Sequence, residues 1–239
     1  MATDGQGVIL AAPHSVDARQ RTAVDLLTRR VAHRLGCPAA TGQVQHGVLH
    51  LGAPMSHLHA KGVRDVVVVP LTFIASPVVP DGTSTHPAGN GHPPGMNVRT
   101  AEPLGGEPEV IAAVIEALNQ SERPPDPRTR VVMLLPYADH PVTSRLSPHV
   151  PAITAAGWRD GRVMVMPTNP ADCTLNGALD VGPQGRVLLV PLTITPGPFS
   201  SRVAECAARL GTESANVSLH SCEALTKLIC RRVVAARRA

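Results

Sequence analysis

Two stretches of this chain repeat one another, and the repeat limits what it can fold into. VILAAPH (residues 8–14) is matched by VMLLPYA (132–138), and VVVVPLTFIASP (66–77) by VLLVPLTITPGP (187–198). The spacing repeats as well: Pro70 lies 57 positions after Pro13, and Pro191 lies 55 after Pro136. Each matched stretch is a short aliphatic run ending at a proline, as expected of a strand covered on both faces. Helical patterns lie between the runs, so each half reads as β-α-β-α. The fold class expected is α/β, with two similar lobes, each a parallel sheet flanked by helices. The segment SERPPDPRTR, Ser121 to Arg130, carries three prolines among charged residues and reads as a linker. It divides the chain into lobes at 1–122 and 128–239.

The elements between these landmarks follow from local patterns. In DARQRTAVDLLTRRVAHRLG, Val24, Leu27, Val31 and Leu35 fall on one helical face. Asp17 is placed to cap that helix and Gly36 to end it. TGQVQHGVLH reads as a strand and loop, APMSHLHAKG as a short helix stopped by Gly62, and RDVVVVPL as the most secure strand. SPVVPDGTSTHPAGNGHPPG is too rich in Gly and Pro for regular structure. MNVRTAEPLGG supplies a strand. EPEVIAAVIEALNQ supplies a helix with Ile111, Val114, Ile115 and Leu118 inward. After the linker come the strand RVVMLLPY, a proline-interrupted helix TSRLSPHVPAITAAG, the strands GRVMVMP and GRVLLVPL, and the helix PFSSRVAECAARLG. ANVSLH as a strand and CEALTKLICRRVVAARR as a helix complete the pattern.

Composition excludes several function classes. Four aromatic residues among 239 leave no stacking platform for nucleic acid, and no basic run is interleaved with them. The net charge of +4 is compatible with an acidic ligand, and arginine far outnumbers lysine. The arginines near the C-terminus suit the dipole of a closing helix. Five cysteines, an odd count without a C-x-x-C, argue against a disulfide framework, a zinc finger or an iron–sulfur cluster. The longest apolar stretch, Val66 to Val79, is broken by Pro70 and Pro77, and MATDGQG has no charged-then-apolar character. The expectation is a cytoplasmic protein with no membrane partner. No G-x-S-x-G and no G-x-x-x-x-G-K-[ST] occurs, so neither a serine hydrolase nor a nucleotide site is indicated.

In open α/β sheets, ligands bind beyond the carboxyl ends of the strands. On that rim the first half carries Pro13-His14 and the second Pro136-Tyr137. A neutral imidazole at this place can bind divalent Fe, Co, Ni or Zn through one nitrogen, or accept a proton near neutral pH. His14 is therefore the first candidate, against the alternative of a strand-end histidine satisfied by backbone. His50 is a candidate on equal terms with an exposed loop residue. His86 and His92, in the Gly/Pro-rich stretch, are favoured as surface residues, the alternative being a lid that returns a histidine to the site. His57 and His59 read as surface residues of the short helix, Ser15 as a turn or cap residue, Tyr137 as packing, and Cys173 as an ordinary thiol.

The order of these segments resembles the class II chelatases, the sirohydrochlorin cobalto- and ferrochelatases of cobalamin and sirohaem synthesis. Their first strand ends in His-Gly-Ser, matched by LAAPHS with His14. A Phe-Leu-Glu-x-x-x-Pro segment is matched by VLHLGAPMSHLHAKG, Val48 to Gly62. Arg-x-Val-Val-Val-Val-Pro-Leu-Phe-Leu is matched by RDVVVVPLTFI, Arg64 to Ile74, and Leu-Gly-x-x-Pro by LGGEP, Leu104 to Pro108. The likeness covers the first half by motif and the second by architecture. It implies a lyase that inserts a divalent metal into a polycarboxylated tetrapyrrole without a nucleotide, working as a monomer or a homodimer. A cleft between the lobes would take the macrocycle edge-on. It also implies a metal site of a strand-one histidine, an acidic residue and a second histidine. His14 occupies the first position, His50 stands at the acidic one, and the second histidine falls near Val78. The candidate metal-handling set is then His14, His50, His86 and His92, with His14 and His50 as the catalytic pair. Two other readings stay open: a metal- or tetrapyrrole-binding homologue without turnover, and a chelatase-like scaffold recruited to another reaction with His14 as acid or base.

Overall fold

The computed structural model describes residues 5–45, 48–73, 93–121, 123–136, 140–167, 175 and 177–238. The chain forms two compact units. One comprises Met1–Gly105 with Thr226–Ala239, the other Gly106–Leu225.

The first unit is built on a five-stranded sheet. Strands β1 (Gln6–Pro13), β2 (Ala39–Gln45), β3 (Val48–His50), β4 (Asp65–Pro70) and β5 (Asn97–Thr100) take the order β3-β2-β1-β4-β5. All neighbouring pairs are parallel except β2 with β3. Val8, Ile9, Leu10 and Ala11 are fully buried in the middle of β1, and Val68 and Val69 in β4. Burial on both faces explains why these strands read as unbroken aliphatic runs rather than as alternation. Helix α1 (Ala18–Leu35) starts at Asp17, whose Oδ1 accepts the Arg19 amide at 2.8 Å, and ends at Gly36 in the left-handed region (φ 63°). It is tied to β2 by the Thr28 and Thr41 hydroxyls, 3.2 Å apart. Helix α2 (Gly52–Ala60) sends Met55 and Leu58 into a cluster with Ile9, Ala11, Val66 and Val68 on the other face. The expected strand and loop after α1 is in fact a strand followed by an antiparallel hairpin partner.

The second unit repeats this design. Strands β6 (Thr129–Leu135), β7 (Asp160–Val165), β8 (Arg186–Pro191) and β9 (Glu213–Ser214) are parallel throughout, in the order β7-β6-β8-β9. Register confirms the equivalence. Pro70 pairs with Ala11, two residues before Pro13, and Pro191 pairs with Leu134, two residues before Pro136. Beyond each pair the same bond follows, Leu71 N–H to Ala11 and Leu192 N–H to Leu134, both at 2.8 Å. The VVVVPL and VLLVPL strands thus occupy equivalent places.

The helices do not follow chain order. Helix α3 (Pro108–Gln120) belongs to the second unit. There the Glu116 carboxylate accepts the amides of Glu223 (2.7 Å) and Ala224 (3.1 Å), and Cys222 Sγ donates to the Ala113 carbonyl. The last helix, α7 (Glu223–Arg238), belongs from Thr226 onward to the first unit. There Arg232 pairs with Glu102 at 2.7 Å, and the Arg237 carbonyl accepts from Arg99 at 3.0 Å. The compact units thus divide at Gly105/Gly106 and at Leu225/Thr226, which places α3 and most of the last helix in the unit that chain order gives to the other half. Helical periodicity states that a face is buried and leaves open which sheet buries it.

Three further details differ from expectation. The proline-interrupted helix is α4 (His140–Leu146), one turn of 3₁₀ helix (Ser147–His149) and α5 (Pro151–Ala155). The ANVSLH strand is displaced. Pairing with β8 occupies Glu213–Ser214 and ends with the Ala215 amide on Leu189, and Leu219–Ser221 forms a 3₁₀ turn. Helix α6 (Pro198–Arg209) carries Cys206, which is fully buried and disulfide-bonded, whereas Cys37, Cys222 and Cys230 are buried as thiols. A disulfide needs only two sulfurs within reach in the fold, which sequence spacing does not encode.

Candidate functional site

Proline at position 13 removes a backbone donor and stops β1. His14 follows, exposed at the carboxyl rim, with its amide on the Val44 carbonyl at 2.8 Å. That bond carries the parallel ladder one step past the strand. The turn after it is tightly held. Ser15 Oγ accepts the Asp17 amide at 3.1 Å, and Arg21 Nη1 reaches back to the Val16 carbonyl at 2.7 Å. Ser15 is thus a turn residue, as expected. The side-chain hydrogen bond from Arg19 holds the Asp17 carboxyl below the usual range, so the cap is ionised in neutral solution.

The β2–β3 hairpin determines what stands beside His14. Ala12 is paired with Gln43, and Gln43 with His50. Paired residues project to the same face of a sheet, and His14, two residues past Ala12, continues that face. Three polar side chains, one just past β1 and one each on β2 and β3, are brought to one side of the rim. His14 Nδ1 lies 3.0 Å from Gln43 Oε1. His14, Gln43 and His50 are all exposed.

Alongside them is an open cavity of about 730 Å³, lined by Thr41 and Gln43, by Leu49–Leu51, and by Gly52, Ala53 and Pro54 at the start of α2. That volume is in the range of small-molecule sites. Its wall is braced from behind: Thr41 Oγ1 donates to Asp25 Oδ1 of α1 at 3.0 Å. Gly42, on the opposite side of β2, has no room for a side chain. A Cβ there would meet Ile9 Cγ2 at 2.8 Å and Leu51 Cδ2 at 2.9 Å. The packing that holds β2 against β1 thus also sets one wall of the cavity.

The structure brings His14 and His50 to the same face of one rim. His86, His92 and Val78 lie outside the described residues, as do Tyr137 and Cys173. His57 is exposed on α2, as expected of a surface residue, and His59 on the same helix is half-buried. Among the described residues no group of three or more His, Cys, Asp or Glu side chains is arranged to hold a metal ion. Sequence reading missed Gln43, Thr41 and Asp25. The polar alternation Thr41-x-Gln43 was the available signal for the first two. Asp25 sits on a helical face with no local mark.

No protein-family profile matches the sequence, and no curated protein matches it. Solved structures do. The sirohydrochlorin chelatase SirB from Bacillus subtilis subspecies spizizenii, in complex with cobalt, is similar with a TM-score of 0.63 at 13% identity, covering 98% of this chain and 95% of that one. CbiX, described as the terminal enzyme for biosynthesis of siroheme in denitrifying bacteria, is similar with a TM-score of 0.54 at 13% identity, over 96% and 99%. DR2241 from Deinococcus radiodurans, a multi-domain protein with structural similarity to chelatases, gives 0.64 at 16% identity; 96% of this chain covers 55% of that one. Among the described residues no helix is long and apolar enough to cross a membrane.

Proposed function

We propose that this chain, which has the class II chelatase fold, inserts a divalent metal, Fe, Co or Ni, into a polycarboxylated tetrapyrrole such as sirohydrochlorin. The observation that carries the reading is the juxtaposition at the first rim: His14 and His50 on one face, flanking Gln43, beside a cavity of about 730 Å³. The family resemblance and the chelatase neighbours support the same reading.

The reaction exchanges one dication for two pyrrole protons, so the macrocycle core gains no net charge and no nucleotide is called for. His14 has two tasks in it. Its imidazole holds the incoming ion through one nitrogen, which suits these borderline metals. Once the ion has left, the same nitrogen accepts one of the two pyrrole protons, and the second passes to solvent. His50 supplies the second polar group, with an imidazole in place of the family's carboxylate. Exposed arginines suit the substrate's acidic substituents, because guanidinium pairs with carboxylate in a bidentate fashion.

The test is anaerobic incubation with sirohydrochlorin and each of Fe²⁺, Co²⁺ and Ni²⁺, followed by absorbance. Metallation should exceed the protein-free rate with at least one ion, and His14→Ala should lower it by about 10²–10⁴. His50→Ala should lower it less. A wild-type rate equal to the protein-free rate overturns the enzyme. A second reading, a metal or tetrapyrrole binder without turnover, is favoured by the departure from the family's ligand set: His50 stands at the acidic position, and the second histidine falls near Val78. Its signature is a spectral shift on mixing that does not progress to product.

A further inference from the structure

We infer that Gln43 is a positioning residue for His14: it holds the imidazole with the proton on Nδ1 and leaves the Nε2 lone pair facing the rim. This deepens the reading above and rests on His14 being the group that meets the metal. The carrying observation is the 3.0 Å separation of His14 Nδ1 and Gln43 Oε1. An amide oxygen only accepts, so the ring nitrogen must donate. A neutral imidazole has one proton, and placing it on Nδ1 makes Nε2 the unprotonated nitrogen.

Both partners are held before the bond forms. The His14 backbone is fixed by its amide on Val44 O at 2.8 Å, one residue along β2 from Gln43. The Gln43 backbone is fixed by pairing on both sides, with Ala12 and with His50. Two residues earlier on the same face, Thr41 is anchored to Asp25 at 3.0 Å and lies 3.2 Å from Thr28. The ring therefore meets Gln43 without ordering either chain segment. Groups that orient a metal-binding histidine through its second nitrogen set its tautomer and direction, and their loss commonly weakens metal binding by 10–100-fold. Here both side chains are exposed, so water competes, and the lower end, about tenfold, is expected.

The tautomer is measured first, without metal. In ¹⁵N-histidine-labelled protein above the imidazole titration range, long-range ¹H–¹⁵N correlation should show His14 protonated on Nδ1. Gln43→Ala should shift it toward the Nε2-protonated form. Gln43→Glu, which keeps an acceptor at the same place, should restore Nδ1–H. Co²⁺ titration of the same proteins should then show about tenfold weaker binding in Gln43→Ala and recovery in Gln43→Glu. A wild-type ring protonated on Nε2, as an amide turned the other way would produce, overturns the inference. So does a tautomer that Gln43→Ala leaves unchanged. Failure of the wild-type protein to bind Co²⁺ would instead strike at His14 as a metal-handling residue, because the tautomer is read with no metal present.

Discussion

Removing the charge of Asp160 should destabilise the second unit by about 2 kcal/mol at neutral pH, and that cost should fade in acid. Arg130 and Asp160 are register partners at the starts of β6 and β7. The guanidinium fork meets the carboxylate through Nε at 2.5 Å and Nη2 at 2.9 Å. Its remaining nitrogen, Nη1, donates to the carbonyls of Ala178 (3.2 Å) and Asp180 (3.1 Å). The arginine side chain is 8% exposed and the aspartate 37%. Breaking a fully buried pair costs about 3–5 kcal/mol. Water reaches Asp160 and takes up part of that loss, so Asp160→Asn is placed at about 2 kcal/mol. The hydrogen bond from Arg130 holds the Asp160 carboxyl below its ordinary range. A depressed carboxylate contributes its stability above the unfolded pKa of about 3.9 and loses it as pH falls through the lower folded value. The difference between wild type and Asp160→Asn should thus be constant from about pH 5 to 7 and shrink below about pH 4. Urea unfolding followed by Trp158 fluorescence suits the measurement. It is the chain's one tryptophan, buried two residues from Asp160. A difference that persists undiminished at pH 3, or one below about 0.5 kcal/mol at pH 7, would refute the reasoning.

Two glycines give predictions of opposite character to their helix and strand propensities. Gly42→Val favours a strand by propensity, yet its side chain would drive Ile9 and Leu51 apart, and thermal unfolding should show a loss of about 1–3 kcal/mol. Gly106→Ala, just ahead of α3, would ordinarily stabilise by limiting the unfolded chain. Here its Cβ falls within 2.9 Å of the Arg145 backbone, so the melting temperature should drop rather than rise.

Much of the architecture was legible in local pattern. Aliphatic runs ending at Pro13, Pro70, Pro136 and Pro191 marked four central strands, because a strand covered on both faces has no polar alternation to show. Asp17 and Gly36 marked the ends of α1, because a helix terminus needs an acceptor for its free amides at one end and a left-handed residue at the other. His14 stood out because a strand-ending proline locates the rim. Tertiary structure alone decided the rest. It placed α3, and the last helix from Thr226 onward, in the unit that chain order gives to the other half, since an apolar helical face has no label for its partner. It folded β3 back on β2, setting His50 across from Gln43, and it set Gln43 against the His14 ring. Those placements depend on cross-strand register. Register is settled by packing such as the Ile9–Gly42–Leu51 contact, among residues that no fixed sequence spacing connects.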